Sequence, residues 1–175
     1  AFALTGSTPT GGSYSGTGVA NGIFDPQVAG SGNHIITYSW IDTNNLIITC
    51  SFLITVIPSP IVDIGENITI CSGQNAVISN SYAENFDVLN WSGGSGFFDD
   101  PRKLNPVYTP DSSEIGTIVT LCMEVSAINP CVGSVTDCIE LYIQDIPFSN
   151  AGNDITACGN DTIILNGISI NSSEI

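Results

Sequence analysis

The sequence predicts an all-β protein. Thr, Ile and Val abound while long helix-forming Lys and Glu side chains are rare, a bias that suits strands. Apolar and polar residues alternate with a period of two. Turn residues interrupt these runs about every ten positions. Short alternating strands, frequent turns and almost no helical periodicity together indicate β-sandwich domains of immunoglobulin-like type.

The clearest strands lie in the middle of the chain. Along Thr117 to Ser126, Val119, Leu121, Met123 and Val125 point one way and Thr120, Cys122 and Glu124 the other. Val135 to Gln144 continues the pattern, with Ile139, Leu141 and Ile143 opposing Cys138, Glu140 and Tyr142. Asn129-Pro130 and Gly133 supply the turn between them.

The chain repeats itself. Gly65-Glu66-Asn67-Ile68-Thr69-Ile70-Cys71 returns as Gly152-Asn153-Asp154-Ile155-Thr156-Ala157-Cys158. The same offset carries Pro60 onto Pro147 and Leu53-Ile54-Thr55-Val56 onto Glu140-Leu141-Tyr142-Ile143. Gly32 to Tyr38 resembles Gly116 to Cys122, and Tyr14-Ser15-Gly16 resembles Trp91-Ser92-Gly93. Boundaries fall at Pro58-Ser59-Pro60 and Ile146-Pro147, where proline withdraws a ladder donor and stiffens the link. The expected division is an N-terminally incomplete repeat over 1–58, a complete one over 59–147, and the start of a third over 148–175.

Six cysteines add constraints. Folding the two middle strands about Pro130 sets Cys122 opposite Cys138, where Cα atoms of an antiparallel pair lie roughly 4.5–5.5 Å apart, within disulfide range. Cys71 and Cys131 form the second expected pair, closing most of the domain into a loop worth about 4 kcal/mol in the chain-entropy account. Cys50 and Cys158 fall one in each incomplete repeat, and each is expected to pair with a cysteine outside this chain rather than within it. A zinc site is not expected: there is no Cys-x-x-Cys pair, and the single His34 opens a strand. Disulfides of this kind point to an oxidising, extracellular compartment.

Charge excludes several partners. Two basic residues against seventeen acidic ones give a net charge of −15. Nucleic acid and anionic membranes need clustered Lys and Arg, whereas Arg102 and Lys103 follow Asp99-Asp100-Pro101 and read as a local surface ion pair. Apolar residues make up 42% of the chain, enough for a core and unlike an acidic disordered tail. The most apolar run, Leu46 to Ile57, is too short and too interrupted to span a bilayer, so no membrane insertion by this segment is expected. Ala1-Phe2-Ala3-Leu4 lacks the basic start of a signal peptide, as an internal fragment would.

Candidate chemistry is sparse. Gly16-Thr17-Gly18-Val19-Ala20-Asn21-Gly22 imitates a phosphate loop, but Ile23-Phe24-Asp25-Pro26 follows it as a turn rather than a helix, and no Lys is present. Its echo in Asn90-Trp91-Ser92-Gly93-Gly94-Ser95-Gly96 argues for a turn that the scaffold needs in every copy, following a core aromatic. No convergent catalytic set is visible, and an enzyme is not expected. No cofactor is expected either. Asp63, Glu66 and Asp154 are candidates for Ca²⁺, but solvated loop acids are the favoured reading. Trp91 is expected in the core, while loop aromatics such as Phe97 or Phe98 could stack on sugar. Sequons start at Asn67, Asn90, Asn160 and Asn171.

The stretches Gly12 to Trp40, "WSGGSGFFDD", "NPVYTPDSSEIGTIVTLCMEV" and "AGNDITAC" resemble the repeats of giant cell-surface proteins of Bacteroidetes, typified by the SprB-type gliding-motility adhesins. Phe24-Asp25-Pro26, Ala29-Gly30-Ser31-Gly32 and Tyr108-Thr109-Pro110 carry much of the likeness. The resemblance implies strings of immunoglobulin-like domains exported by type IX secretion and displayed outside the outer membrane. It implies association, through other parts of the chain, with secretion and gliding-machinery proteins. It also implies O-glycosylation at Thr162 within Asp161-Thr162-Ile163. The function expected is a non-enzymatic adhesin, the repeat segment of an extended filament that binds an extracellular surface. The alternative is a carbohydrate-binding module that recognises polysaccharide.

Overall fold

The computed structural model describes residues 1–160 and 162–170. Almost everything regular in it is strand, and the chain is all-β. It divides into two compact units, residues 1–60 with 127–133, and residues 61–126 with 134–175.

The first unit contains β1 (Phe2–Ala3), β2 (Ser13–Ser15), β3 (Val19–Ala20), β4 (Ile23–Phe24), the single helical turn α1 (Pro26–Ala29), β5 (Gly32–Ile41) and β6 (Ile47–Val56). They form two three-stranded sheets, ordered β1-β4-β3 and β2-β5-β6. The long β5–β6 hairpin runs in register from Gly32 opposite Val56 to Ile41 opposite Ile47. Its turn is built by Asp42, whose Oδ1 accepts from the backbone N–H groups of Asn44 at 2.7 Å and Leu46 at 2.8 Å, with Asn45 at φ 62°. The Asp-Pro expected as a plain turn makes one short helical turn instead. Asp25 caps it by accepting from Gln27 N–H, and Pro26 enters where a missing N–H costs nothing. Phe24, Ile36 and Tyr38 are the buried hydrophobic residues of this unit.

The second unit holds β7 (Ile61–Asp63), β8 (Ile68–Cys71), β9 (Ala76–Val77), β10 (Tyr82–Glu84), β11 (Phe86–Gly93), β12 (Phe97–Phe98), β13 (Val107–Thr109), a 3₁₀ turn (Ser112–Glu114), β14 (Ile118–Ala127), β15 (Ser134–Gln144), β16 (Phe148–Asn150) and β17 (Ile168–Ile170). The main sheet is ordered β11-β14-β15-β8, with β8 running parallel to β15 so that Ile68 meets Leu141 and Cys71 meets Gln144. A second sheet is ordered β12-β13-β9, while β10 pairs with β7 and β16 with β17. The alternation places Val119, Leu121, Met123 and Val125 of β14, with Ile139, Leu141 and Ile143 of β15, in one buried cluster. Leu89 and Trp91 of β11, Tyr108 of β13, Ala76, Ile78 and Ile64 complete it.

The two long hairpins are counterparts, with one adjustment to the sequence alignment. Gly16 abuts Ile35 O and Ile36, and Gly93 abuts Thr120 O and Leu121 in the same way. Ile36 therefore corresponds to Leu121 and Tyr38 to Met123, one residue further on than matching Gly32 with Gly116 implies. The slip matters because one residue of register exchanges the two faces of a strand, and only this match sets buried residues on buried residues.

Cys122 and Cys138 are registered partners on β14 and β15 and form a disulfide with Cα atoms 4.1 Å apart. The expected Cys71–Cys131 pair does not form; both are exposed free thiols. Topology is the reason. Cys71 pairs with Gln144 at the last residue of β15, whereas Cys131 lies in the turn before Ser134 at its start. A strand of that length holds the two ends on the order of 30 Å apart. Cys50 is likewise an exposed free thiol, and Cys158 is exposed.

Candidate functional site

The glycine stretch after Trp91 is the most constrained part of the second unit. Trp91 is 2% exposed, its ring centroid lies 5.7 Å from Phe98, and its Nε1 donates to Lys103 O at 3.1 Å. Phe98 in turn packs on Tyr108 at 5.0 Å. Trp91 thus takes the core position expected of it. Beyond it the chain must cross closely over Tyr108. Gly94 sits at φ 64°, and a Cβ there would collide with the Tyr108 hydroxyl; one at Gly96 would strike Thr109 O. Glycine is required for that approach, not for cradling a phosphate.

The crossing is locked by a buried carboxylate. Tyr108 Oη donates to Glu114, 2.8 Å from Oε1 and 2.9 Å from Oε2, and itself accepts from Gly96 N–H at 2.8 Å. Glu114, only 5% exposed, also accepts from Ser95 N–H and from Asp111 N–H. Asp111 completes a capping box by accepting from Ser113 N–H at 2.9 Å. Burial, reinforced by the hydrogen bond to Glu114, pushes the Tyr108 hydroxyl up to about 12. Each oxygen of the carboxylate is engaged by donors from its own fold, so the cluster acts as a clasp on the glycine turn. The Asp111-Ser112-Ser113-Glu114 spacing is a capping-box pattern that the sequence expectations did not include, and the Tyr108 partnership leaves no local pattern at all.

Beside the clasp lies a shallow groove of about 280 Å³, lined by Ser72, Gln74, Asn75, Thr109, Asp111 and Ser112 among others. The Ser72, Thr109 and Ser112 hydroxyls, the Gln74 and Asn75 amides and the Asp111 carboxylate lie among its lining residues, but more of its surface is apolar than polar, with Pro110 and Ile115 contributing. Phe97, 65% exposed, is the registered partner of Thr109 but is not itself among the residues that line the groove. The two loop aromatics separate here: Phe97 is available, whereas Phe98 is committed to packing between Trp91 and Tyr108. In the first unit Tyr14 packs against Tyr38 at 5.0 Å and Phe52 at 6.4 Å.

The remaining candidates are not brought together. Asp63 accepts from Gly65 N–H within its own turn, and no group of three or more His, Cys, Asp or Glu that could hold a metal forms among the described residues. Lys103 Nζ pairs with Asp99 at 3.3 Å, the local surface contact anticipated. The Val107 N–H, at 2.7 Å, holds the Asp99 carboxyl below its ordinary range, aided by Asp100 N–H and Lys103. His34 is bonded to Gly30 O at 2.9 Å and packs on Phe24. Asn67 Oδ1 accepts from Glu140 N–H at 2.8 Å, fixing β8 to β15. Thr162 is exposed, while its neighbour Asp161 and the Asn171 sequon lie outside the described residues. No helix among the described residues is long and apolar enough to cross a membrane.

No family model matches the chain, and no curated protein sequence matches it significantly.

Proposed function

We propose that the chain is the repeat segment of a non-enzymatic cell-surface adhesin, with tandem immunoglobulin-like sandwiches forming part of an extended extracellular filament. The observation that carries this is the serial recurrence of one scaffold. An aromatic, a glycine turn pressed on the next strand and a long hairpin occur in both units, with Gly16 on Ile36 as Gly93 is on Leu121. Repeating one such unit adds length and a surface at each step. The Cys122–Cys138 bridge supports the extracellular, oxidising location. The net charge of −15 would keep neighbouring copies apart and the filament soluble. Transport by type IX secretion and a place in gliding rest on the family resemblance of the sequence.

The open ring of Phe97, 65% exposed, favours the alternative, a carbohydrate-binding module, as a second reading. One experiment separates the two. Glycan-array binding by the whole chain that Phe97→Ala abolishes supports the module. If no polysaccharide binds while small-angle scattering of the chain gives a stiff rod, the spacer-adhesin reading stands. A compact globule with no surface or sugar binding would sink both.

A further inference from the structure

The sheet of β2, β5 and β6 turns Ile36 and Tyr38 inward, so Ile35, Thr37, Ser39 and Ile41 of β5 share its outer face. Their registered partners on β6 are Leu53, Ser51, Thr49 and Ile47. On the other side, Ser13 and Ser15 of β2 flank Ser39 and Thr37. The face therefore carries two ranks of three hydroxyls, Ser13-Ser39-Thr49 and Ser15-Thr37-Ser51, with an aliphatic pair beyond each rank. Thr37 Oγ1 and Ser51 Oγ lie 3.0 Å apart, and the four aliphatic side chains are each more than half exposed.

The second unit fills the same places differently. Matching Ile36 with Leu121 sets Thr37 on Cys122 and Ser39 on Glu124. Their registered neighbours then set Ser51 on Cys138 and Leu53 on Glu140. A disulfide and two carboxylates in one unit are thus three hydroxyls and a leucine in the other. The face is outward in both: Thr120, Glu124 and Glu140 are exposed with β8 seated beside β15, because a strand added at an edge widens a sheet without covering its face. Charge is segregated in the same way. Of the seventeen acidic residues only Asp25 and Asp42 fall in residues 1–60, which hold no Lys or Arg, and neither lies on these strands.

We infer that this face pairs with the same face of a second copy of the chain, about a two-fold axis lying between the sheets and across the strands. A two-fold contact needs a surface that complements itself. This one reads the same in reverse: aliphatic, hydroxyl, hydroxyl, aliphatic from Ile35 to Ile41 on β5, and again from Ile47 to Leu53 on β6. Turned over, β5 lies on β5 and β6 on β6 with the strands reversed. Ile35 then meets Ile41 of the second copy, Leu53 meets its Ile47, and Thr37 meets its Ser39. A hydroxyl both donates and accepts, so hydroxyls can bond to one another across such an axis. The carboxylates of the second unit would repel their own images. Two ten-residue strands with the short β2 beside them cover on the order of 400 Å² a side from strand rise and spacing. A standard interface takes roughly 800 Å² a side, so the pairing is weak and reversible. The net charge of −15 opposes it while the face itself is neutral, so added salt strengthens it.

The test is sedimentation equilibrium on the whole chain over roughly 1 µM to 1 mM at two salt concentrations. Mass should rise with concentration toward twice that of the monomer and no further, since a two-fold contact closes on itself, and high salt should move the rise to lower concentration. Ser39→Glu/Leu53→Glu restores the carboxylates that the second unit carries at these places, and should stay monomeric throughout. Val77→Glu/Ile118→Glu adds the same charge at exposed sites of the second unit and should pair as the unmodified chain does. A further pair of variants reads the register. Ile35→Lys/Ile41→Lys and Ile35→Glu/Ile41→Glu should each be monomeric, and mixing them in equal amounts should restore the dimer. A monomer at every concentration, growth beyond the dimer, or a dimer that persists on a denaturing gel as a thiol cross-link would overturn the inference. So would a dimer indifferent to Ser39→Glu/Leu53→Glu, or a mixture that stays monomeric. None of these outcomes depends on adhesion or sugar binding.

Discussion

Replacing Tyr108 by Phe isolates the clasp. The ring stays and its packing on Phe98 is kept, while one hydroxyl is lost. Two consequences follow in the folded state. Glu114 loses a donor that approaches both its oxygens, and Gly96 N–H loses its acceptor. A hydrogen bond to a charged group is worth about 1.5–3 kcal/mol, and a stranded buried donor costs about 1–3 kcal/mol, so a loss of about 3 kcal/mol is expected in urea unfolding. The alkaline limb supplies an independent reading. The hydroxyl ionises near 10 when unfolded but is raised to about 12 in the fold. A raised value means that the stability is fully present below pH 10 and is lost as pH climbs from 10 to 12, because the unfolded chain releases that proton first. A rise from 10 to about 12 corresponds to about 2–3 kcal/mol. The unmodified chain should therefore lose that increment between pH 10 and 12, and Tyr108→Phe should lack it. Equal alkaline limbs in the two proteins, or a destabilisation below about 1 kcal/mol at neutral pH, would refute the clasp.

Three other perturbations follow from the same geometry. Gly94→Ala adds a Cβ at φ 64° against the Tyr108 hydroxyl and should cost more than about 2 kcal/mol by urea titration, whereas Gly73→Ala, also at positive φ but in open space, should cost about 1 kcal/mol. Reducing Cys122–Cys138, which closes a span of 16 residues, should lower stability by about 3 kcal/mol; peptide mapping should find Cys122 linked to Cys138, and Cys71 and Cys131 open to alkylation. Asp42, Asp99 and Asp111 are all held below their ordinary value of 3.8, chiefly by the Leu46 N–H, the Val107 N–H and the Ser113 side chain respectively. Depressed carboxyls stabilise the fold above 3.8 and lose that contribution as pH falls through their lowered values, so thermal midpoints should hold down to pH 4 and drop below it.

What the sequence disclosed and what it hid follow one physical division. Period-two alternation is a local property, and it correctly named the inward residues of β14 and β15 and the Cys122–Cys138 partnership, because a single short turn fixes that register. Pairings between distant segments carry no such signature. Cys71 and Cys131 were matched by elimination, and the parallel docking of β8 on β15 sets them at opposite ends of the same strand. Tyr108 and Glu114 show the same limit: the capping-box spacing of Asp111 and Glu114 is local yet was not among the expectations, and the tyrosine that Glu114 holds is defined by the crossing of the glycine turn. The glycines themselves link both levels. Gly16 and Gly93 repeat because each lies directly on the neighbouring strand, so the pattern that imitated a phosphate loop is the trace of a backbone contact made twice. A repeat of this kind preserves contacts more strictly than side-chain identity. The glycine contacts, rather than the best letter-by-letter match, therefore corrected the alignment of β5 with β14 by one residue.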